Sequence, residues 1–479
     1  MPDMPNCCAT NNETSGRYDL AVIGAGSAGF SAAITAAEQG AKVALIGHGT
    51  IGGTCVNIGC VPSKTMIRAA EALHGARAAG RFAGLAGEAH IADWSRLVAA
   101  KDELVERLRQ KKYVDLLPGY EGVAYREGAA RLSETGVTLN GATISAPKII
   151  ITTGARPARP DIAGIETVSC LTSTSALELT SLPQSLLVIG AGYIGCELAQ
   201  MFARMGVEVT IVSRRGLLPE AEPEIAGALT GFFVDEGIGV ISGIAYRRIE
   251  QIGTDIALTV ERDGREERLA AERVLVATGR TPNTEGLGLE EAGVARHSNG
   301  AIRVDERMRT TRPGVYAAGD VTGRDQFVYM AAYGAKLAAR NALNGDGLVY
   351  DNGAMPAVVF TDPQVASVGL TEMQARQAHH EVKTRILTLD NVPRALAARD
   401  TRGLNKLVAD AQTDRLLGAH ILAPDGADSI QTAVLALKFG MTAKALGETI
   451  FPYLTTVEGL KLAAQTFEKD VAMLSCCAG

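Results

Sequence analysis

Short hydrophobic runs alternate with glycine-rich turns and helical stretches through most of the chain. Two of these runs, Tyr18–Ile23 and Leu186–Ile189, have the length of buried strands. Each is followed by glycines in the spacing Gly-x-Gly-x-x-Gly and then by a helical pattern. Strand, glycine turn and helix in this order predict a βαβ unit whose backbone approaches a pyrophosphate at the helix N-terminus. Two such fingerprints, about 166 residues apart, predict two dinucleotide sites on one chain.

Composition and charge narrow the class of function. The 479 residues carry 47 Lys and Arg against 53 Asp and Glu, so a net charge of −6 favours neither nucleic acid nor an anionic membrane as a partner. The longest apolar stretch, Leu20–Ala37, is broken by glycines, which argues against a membrane span. The polar start, Met1–Arg17, lacks the apolar core of a signal peptide and predicts a disordered leader. We therefore expect a cytoplasmic protein.

Cysteine spacing points to a specific chemistry. Six of the eight cysteines fall in three close pairs, Cys7-Cys8, Cys55/Cys60 and Cys476-Cys477. One alternative is a structural disulfide, which a chain without a secretory signal disfavours. The other is half of a zinc site, which would need a second Cys or His pair elsewhere, and none is apparent. If the run from Thr54 onward is helical, the two sulfurs lie close enough for a disulfide, and the helix N-terminus lowers the pKa of a thiol. We interpret this pair as redox-active thiols.

The active-site segment of the flavoprotein disulfide reductases resembles the run around this pair, which reads Gly52-Gly53-Thr54-Cys55-Val56-Asn57-Ile58-Gly59-Cys60-Val61-Pro62-Ser63-Lys64. The resemblance covers nearly the whole chain. It implies a glutathione reductase-like α/β fold with two Rossmann-like domains, for FAD and NADPH, and a C-terminal α+β dimerisation domain. The implied boundaries are a leader at 1–17, a discontinuous FAD domain at 18–167 and 284–352, an NADPH domain at 168–283, and an interface domain at 353–479 that ends in the Cys-Cys tail.

FAD is implied at the first fingerprint. The similar segment Gly314–Asp320 supplies the Asp that binds the ribityl chain in the family. One position departs from the family, in which a Glu at the end of the second strand binds the adenosine ribose. Here that position is Gly47, followed by His48, so His48, a backbone group or water would replace the carboxylate. The residues implied for FAD are Gly24, Gly26, Ser27, Gly29, Gly53, Thr54, Lys64, Thr153, Gly154 and Asp320.

The second fingerprint favours NADPH over NADH. The strand after it ends in Ser213, Arg214 and Arg215, where an NADH site places a carboxylate for the ribose 2′-hydroxyl. A serine and two arginines suit a 2′-phosphate instead, and the alternative is two exposed arginines without a role. In the family a gating aromatic covers the nicotinamide, and a Lys–Glu pair lies near the flavin. The residues implied here are Gly190, Gly192, Tyr193, Gly195, Ser213, Arg214, Arg215 and Gly279, with Glu197 as the partner of Lys64.

Two features distinguish branches of the family. Glutathione and dihydrolipoamide reductases carry a His-Pro-Thr-x-x-Glu run, whose His–Glu pair protonates a leaving thiol. Aligned on Thr455 and Glu458, this chain has Tyr453 in place of that His, and it ends in the vicinal pair Cys476-Cys477. Both features match the mercuric reductase branch.

The resemblance therefore implies detoxification of mercury by NADPH-dependent reduction of Hg(II) to Hg(0) in a homodimer. Cys60 would be the charge-transfer thiolate beside FAD and Cys55 the outer thiol. The tail of the other subunit would take Hg(II) from thiol complexes. The implied metal ligands are Cys55, Cys60, Cys476 and Cys477, and the implied catalytic residues are these four with Lys64, Tyr193, Glu197 and Tyr453. A glutathione- or dihydrolipoamide-type reductase and a non-enzymatic metal-thiolate scavenger are the alternatives.

Overall fold

The computed structural model describes residues 17–134 and 136–474. In chain order its strands are β1 Leu20–Ile23, β2 Val43–Gly47, β3 Val123–Glu127, β4 Ala130–Leu132, β5 Gly136–Leu139, β6 Ala142–Ser145, β7 Lys148–Ile151, β8 Ala155–Pro157, β9 Ser185–Ile189, β10 Glu208–Ser213, β11 Gly239–Ser242, β12 Ala245–Ile252, β13 Asp255–Arg262, β14 Arg265–Ala271, β15 Arg273–Val276, β16 Arg280–Pro282, β17 Val315–Ala317, β18 Pro356–Val359, β19 Gln364–Gly369, β20 Val382–Thr388, β21 Leu404–Asp410 and β22 Leu416–Ala423.

The α-helices are α1 Ser27–Ala37, α2 Gly53–Asn57, α3 Cys60–Arg77, α4 Trp94–Arg109, α5 Ser173–Ala176, α6 Tyr193–Arg204, α7 Pro223–Asp235, α8 Val328–Asn344, α9 Glu372–Gln377, α10 Pro393–Ala398, α11 Gly426–Lys438, α12 Ala443–Glu448 and α13 Glu458–Gln465. Short 3-10 turns lie at Ala78–Arg81, Leu117–Gly119, Ile165–Thr167, Asp320–Thr322, Leu389–Asn391 and Val471–Met473. A π-helical turn at Gln110–Val114 continues α4.

The chain divides into two compact units. The first consists of the chain up to Cys60 together with Glu103–Arg156 and Arg280–Tyr350. The second consists of Val61–Asp102, Pro157–Gly279 and the chain from Asp351 onward. This division is coarser than the three domains expected from the sequence, whose individual boundaries stay predictions.

A five-stranded parallel sheet organises the first unit, in the order β17-β7-β1-β2-β3. In β1 and β2, Leu20 pairs with Val43 and Ile23 with Ile46, and both strands are buried along their whole length. Burial on both faces explains why these strands appear in the sequence as unbroken apolar runs. A small antiparallel sheet, β4-β5-β6, packs its apolar face into the same core.

The second unit contains a four-stranded parallel sheet and two antiparallel sheets. The parallel sheet has the order β11-β10-β9-β15, and Leu187 in β9 lies between Thr210 and Val274. The antiparallel sheets have the orders β12-β13-β14 and β18-β19-β22-β21-β20. The five-stranded sheet belongs to the region that begins near residue 353, and two of its inner strands, β21 and β22, are buried along nearly their whole length. Two parallel Rossmann-like sheets and a final α+β region are the architecture expected from the sequence.

Candidate active site and dinucleotide sites

The first glycine fingerprint packs backbone against backbone. Gly24 has a φ of +115°, and a Cβ there would lie 2.6 Å from the carbonyl carbon of Thr152. A Cβ on Gly29 would lie 2.9 Å from the carbonyl carbon of Gly24. Gly26 is the N-cap of α1, and no side chain of the described residues caps this helix. The N-terminal N–H groups of α1 are therefore available to a pyrophosphate, so this site fits FAD.

Glycines also hold the cysteine segment against this helix N-terminus. The N–H of Gly52 donates to the carbonyl of Ala25 at 2.9 Å. A Cβ on Gly53 would lie only 2.7 Å from the Cα of Gly26. Only glycine permits this approach, and with φ values of +96° and +67° Gly52 and Gly53 also occupy the left-handed region.

The run that contains Cys55 and Cys60 is not one helix. Cys55 lies in α2, which ends at Asn57, and Cys60 is the first residue of α3. Both cysteines are half-buried. The position of Cys60 at the start of α3 places its sulfur where helix N-terminal amides stabilise negative charge. The separation of the pair is therefore set by a break between two helices rather than by one helical turn.

Tyr113 lies beside the pair and was missed in the sequence. Its side chain projects from the π-helical turn after α4, and its phenolic oxygen is 3.0 Å from Oγ of Ser27, the first residue of α1. Burial raises the pKa of Tyr113, the hydrogen bond with Ser27 opposes this shift, and the charges of Cys55 and Cys60 raise the pKa further. A phenol held in its protonated form is a hydrogen-bond donor near the thiols. Fifty-odd residues separate Tyr113 from Cys60, and no local motif marks it.

Asp320 begins a 3-10 turn that follows β17 after two intervening residues. The turn depends on Gly319, with φ of +76°, where a Cβ would lie 3.4 Å from that of Ala28 in α1. Burial raises the pKa of Asp320, and Arg280, whose Nε lies 3.4 Å from Oδ2, partly offsets the shift. That Nε has no hydrogen-bond partner among residues 17–134 and 136–474. Buried polar atoms with unfilled capacity suit the hydroxyls of a ribityl chain.

Thr153 and Gly154 join two segments of the first unit. Oγ1 of Thr153 donates to the carbonyl of Asn283 at 2.7 Å, and Nδ2 of Asn283 donates back to the carbonyl of Thr153 at 3.0 Å. Gly154 has a φ of +70°, and its carbonyl accepts from the N–H of Asn283. These bonds fix the chain after β7, and direct contact of either residue with FAD stays a prediction.

Lys64 and Glu197 form an ion pair in the second unit. Nζ of Lys64 lies 2.7 Å from Oε2 of Glu197, whose other carboxylate oxygen accepts from the N–H of Phe360 at 2.9 Å. The ammonium also lies 4.9 Å from the centre of the Phe360 ring. Glu197 is 5% exposed, whereas the side chain of Lys64 is 32% exposed, so a buried carboxylate holds an ammonium that still reaches solvent.

The second fingerprint repeats the construction of the first. Gly190 has a φ of +111°, and a Cβ there would lie 2.7 Å from the carbonyl carbon of Ala277. A Cβ on Gly195 would lie 3.1 Å from the carbonyl carbon of Gly190. Gly192 is the N-cap of α6, which no side chain in the described part of the chain caps. A second pyrophosphate therefore fits here, as NADPH requires.

Tyr193 is the first residue of α6 and is 38% exposed. Burial raises the pKa of Tyr193, and the charge of Glu220 adds to the shift. Its ring borders a cavity of about 150 Å³ whose wall also includes Leu218 and Val359. The aromatic ring therefore lies at the mouth of the second fingerprint, with open space beside it. Its gating role stays a prediction.

The end of β10 carries no carboxylate. Ser213 is buried, whereas Arg214 and Arg215 are exposed, and Arg215 lies 2.9 Å from Glu220. Gly279, with φ of +112°, follows β15, and its carbonyl accepts from the N–H of Ala158. An exposed ion pair contributes little, about 0–1 kcal/mol, so Arg215 can exchange its partner for a phosphate. The charge at this strand end fits NADPH.

Two models of known protein families match the chain. Residues 18–339 match the family "Pyridine nucleotide-disulphide oxidoreductase", and residues 355–464 match its dimerisation domain. The chain belongs to the pyridine nucleotide-disulphide oxidoreductases. The fold class expected from the sequence is thereby confirmed, as are FAD and NADPH, the cofactors of this family.

Individual relatives resemble the chain over nearly its full length. It is 48% identical over 465 residues to a mercuric reductase of Staphylococcus aureus, covering 97% of this chain and 85% of that protein. It is 47% identical over 468 residues to a mercuric reductase of Streptomyces lividans, covering 96% and 98%. Among solved structures, a Cu(II) complex of the HOCl-induced flavoprotein disulfide reductase RclA from Escherichia coli has a TM-score of 0.84 at 32% identity, covering 95% of this chain and 100% of that one.

The match to the oxidoreductase dimerisation domain supports pairing of two copies of the chain. Across the described residues, no helix is both long and apolar enough to cross a lipid bilayer. Within the same residues, no group of three or more His, Cys, Asp or Glu side chains is arranged to hold a metal ion.

The segment whose sequence distinguishes mercuric reductases from dithiol reductases lies between α12 and the start of α13. Tyr453 is 51% exposed, and Leu454, with φ of +60°, donates its N–H to Oε2 of Glu458 at 3.2 Å. Glu458 is 4% exposed and begins α13, where the helix dipole favours its charge. The carboxylate that pairs with a histidine in dithiol reductases therefore binds a backbone amide here. The predicted pairs Cys7-Cys8 and Cys476-Cys477 lie outside the described residues.

Proposed function

We propose that this chain uses NADPH to reduce Hg(II) to Hg(0), and that Cys55 and Cys60 bind the metal ion. The observation that carries the proposal is the environment of Glu458, which accepts from a backbone amide and has Tyr453 rather than a histidine nearby. A dithiol product needs protons delivered to its leaving sulfurs, whereas a metal ion does not. The full-length relatives named mercuric reductase support the same substrate and confirm the enzyme class predicted from the sequence.

The cysteine pair binds the substrate. Hg(II) is a soft ion that prefers thiolates, and Cys55 in α2 and Cys60 at the start of α3 supply two of them. Cys60 has the helix N-terminus behind it, and Tyr113 provides a phenol that stays protonated beside both sulfurs. These groups stabilise the thiolates in their metal-binding state.

The remaining residues hold the cofactors in place. The N-terminus of α1 binds the pyrophosphate of FAD, and Asp320 binds the ribityl hydroxyls. In the second unit, the carboxylate of Glu197 holds the ammonium of Lys64 in place. When bound, FAD supplies the two-electron relay between NADPH and the cysteine pair. The overall reaction consumes one NADPH and one Hg(II), transfers two electrons, and yields NADP⁺, one proton and Hg(0).

We further propose that the tail delivers the metal. Hg(II) in a cell is bound to small thiols, and a thiolate displaces such carriers by ligand exchange. Cys476 and Cys477 lie near the chain end, where a vicinal pair can accept the ion and pass it to the Cys55–Cys60 site of the other subunit. The cytoplasm suits this reaction, because thiols are kept reduced there.

The proposal is tested by NADPH consumption of the purified flavoprotein with Hg(II) bound to a small thiol, oxidised glutathione, oxidised lipoamide and Cu(II). We expect Hg(II) to be turned over at least about 100-fold faster than either disulfide. Cys60→Ala should abolish this turnover, whereas Cys170→Ala, a half-buried cysteine whose thiol pKa is raised by burial, should leave it unchanged. Preferred turnover of either disulfide would contradict the proposal and support a dithiol reductase.

A further inference from the structure

The end of β2 lacks the carboxylate that a dinucleotide fingerprint usually places there. Such a carboxylate lies about 20 residues beyond the glycine turn and hydrogen-bonds a ribose hydroxyl. Here the position is Gly47, the buried last residue of β2. Its φ is not positive, so the backbone conformation does not require glycine. Another constraint must explain the missing side chain.

Tyr125 supplies that constraint. It lies in β3, in register with Leu45 of β2, so its side chain is on the same face of the sheet as Leu45 and Gly47. A Cβ built on Gly47 would meet the phenolic oxygen of Tyr125 first, then ring atoms Cε2 and Cζ at 2.8 and 2.9 Å. These distances are shorter than van der Waals contact, so the phenol occupies the space in which a side chain at position 47 would begin.

We propose that the hydroxyl of Tyr125 replaces the absent carboxylate as the side chain that hydrogen-bonds the adenosine ribose of FAD. A phenol both donates and accepts, so it can serve ribose hydroxyls as a carboxylate does. The two residues depend on each other. The phenol of Tyr125 leaves room only for glycine at position 47, and a glycine there cannot supply the carboxylate that usually binds the ribose. Gly47 and Tyr125 therefore form one matched pair across β2 and β3.

His48 is the competing candidate. It follows Gly47 in the sequence, but its side chain is exposed, whereas the phenolic oxygen of Tyr125 lies against the buried end of β2. The two candidates make different predictions for single substitutions, since each hydrogen bond can be removed separately.

The decisive measurement is FAD affinity of the flavin-free protein, followed by quenching of flavin fluorescence. Tyr125→Phe removes one oxygen and should raise the FAD dissociation constant about three- to tenfold, the usual range for one lost hydrogen bond. The matched control is Tyr350→Phe. Tyr350 lies in the first unit but is not among the residues implied for FAD, and its hydroxyl donates to Asp325 at 3.0 Å. This control and His48→Ala should leave the constant within about twofold. Binding of FMN, which lacks the adenosine ribose, should be equal in wild type and Tyr125→Phe.

A pair of further variants tests the steric half of the proposal. Gly47→Glu alone should weaken FAD binding, because the new side chain overlaps the phenol. Gly47→Glu with Tyr125→Ala should restore binding to the wild-type level or better, because it rebuilds the usual carboxylate. Wild-type affinity in Tyr125→Phe, a loss confined to His48→Ala, or an equal loss of FMN and FAD binding would each overturn the proposal. If Gly47→Glu does not fold, the Tyr125→Phe comparison decides alone.

Discussion

The two glycine fingerprints of this chain share one construction and differ where their second strands end. In each, a glycine with φ near +110° packs against a carbonyl of the neighbouring strand, and a later glycine packs against the first. In each, the following helix, α1 or α6, begins at a glycine N-cap with no capping side chain among the described residues. Beyond β2 and β10 the likeness ends, because the buried Gly47 lies beside Tyr125 whereas Ser213 is followed by two exposed arginines.

This contrast separates two kinds of information in the sequence. The glycine turn indicates that a pyrophosphate binds, since its backbone geometry is the same at both sites. The residues at the strand end indicate which nucleotide binds, since they contact the ribose. Variants of the turn should therefore abolish binding, and variants of the strand end should change affinity or preference.

The largest effects are expected from the turns. Gly24→Val should reduce FAD binding at least about 100-fold, and Gly190→Val should reduce NADPH use by a similar factor while the flavin is retained. Both variants have the same two defects. The new Cβ would overlap a backbone carbonyl, and the positive φ at each position costs residues other than glycine up to about 3 kcal/mol. Bound flavin is measured from absorbance and NADPH use from initial rates.

Matched glycines provide the controls for the turns. In Gly119→Val of the first unit and Gly227→Val of the second, the new Cβ meets no atom of another described segment within 4 Å, and neither residue has a positive φ. Both variants should keep flavin and NADPH use. Loss of flavin in Gly190→Val would show that the two sites do not act separately.

The next largest effect is expected at the end of β10. Arg214→Ala/Arg215→Ala should raise the KM for NADPH about 10- to 100-fold, because a hydrogen bond to a charged group contributes about 1.5–3 kcal/mol. The KM for NADH, which lacks the 2′-phosphate, should change by less than about twofold. Arg262→Ala/Arg265→Ala removes two exposed arginines from β13 and β14 and should affect neither coenzyme. Equal changes for NADPH and NADH would refute the assignment of the 2′-phosphate.

The outcome at these sites shows what the sequence could predict. The family, the enzyme class and both cofactors were predicted and are confirmed, because the glycine turns and the Cys55–Cys60 run are contiguous and depend on local backbone geometry. The interruption between α2 and α3 was not expected. A five-residue helix ended by Ile58-Gly59 gives no periodic signal of its own.

Contacts between distant segments were beyond the sequence. Tyr113 reaches Ser27 from a π-helical turn, and Tyr125 reaches Gly47 through the register of β2 and β3. No local sequence pattern specifies either arrangement. The same holds for buried charges such as Arg204, which pairs with Glu236 at 2.6 Å and with Asp362 at 2.9 Å. In contrast, the Lys64–Glu197 ion pair was expected, because the resemblance to the flavoprotein disulfide reductases implies it at these two positions.

Two tyrosines, one at the N-terminus of each fingerprint helix, test the comparison of the two sites further, and a moderate change in rate is expected at one of them. Tyr113 meets the first residue of α1, and Tyr193 is the first residue of α6. Tyr113→Phe should slow Hg(II) turnover about three- to tenfold and leave flavin reduction by NADPH unchanged, because it removes one hydrogen bond beside the cysteines. Tyr193→Phe keeps the ring that borders the cavity and should change both steps by less than about twofold. Rapid-mixing absorbance separates the two steps.

The pH dependence of Tyr113→Phe follows from the direction of its pKa shift. Burial and the neighbouring thiolates raise the pKa of Tyr113 above its ordinary value of about 10, so the phenol keeps its proton throughout pH 6–9. The ratio of wild-type to variant rate should therefore be constant over that range. A ratio that declined towards 1 between pH 7 and 9 would mean that the phenol ionises, contrary to the environment described.

The smallest effect is expected from Glu220→Gln. Glu220 lies 2.9 Å from Arg215, and the two side chains are 75% and 68% exposed, so the pair competes only weakly with a bound phosphate. Removal of the carboxylate should lower the KM for NADPH about two- to threefold and leave that for NADH unchanged, because only the 2′-phosphate uses Arg215. The free energy of unfolding should change by less than about 0.5 kcal/mol, as for other exposed substitutions.

Glu261→Gln, which breaks the exposed pair with Arg247 in the same unit, should change neither KM. A higher KM for NADPH in Glu220→Gln would mean that Glu220 orients Arg215 for the phosphate, and an equal shift for NADH would place its effect at Tyr193.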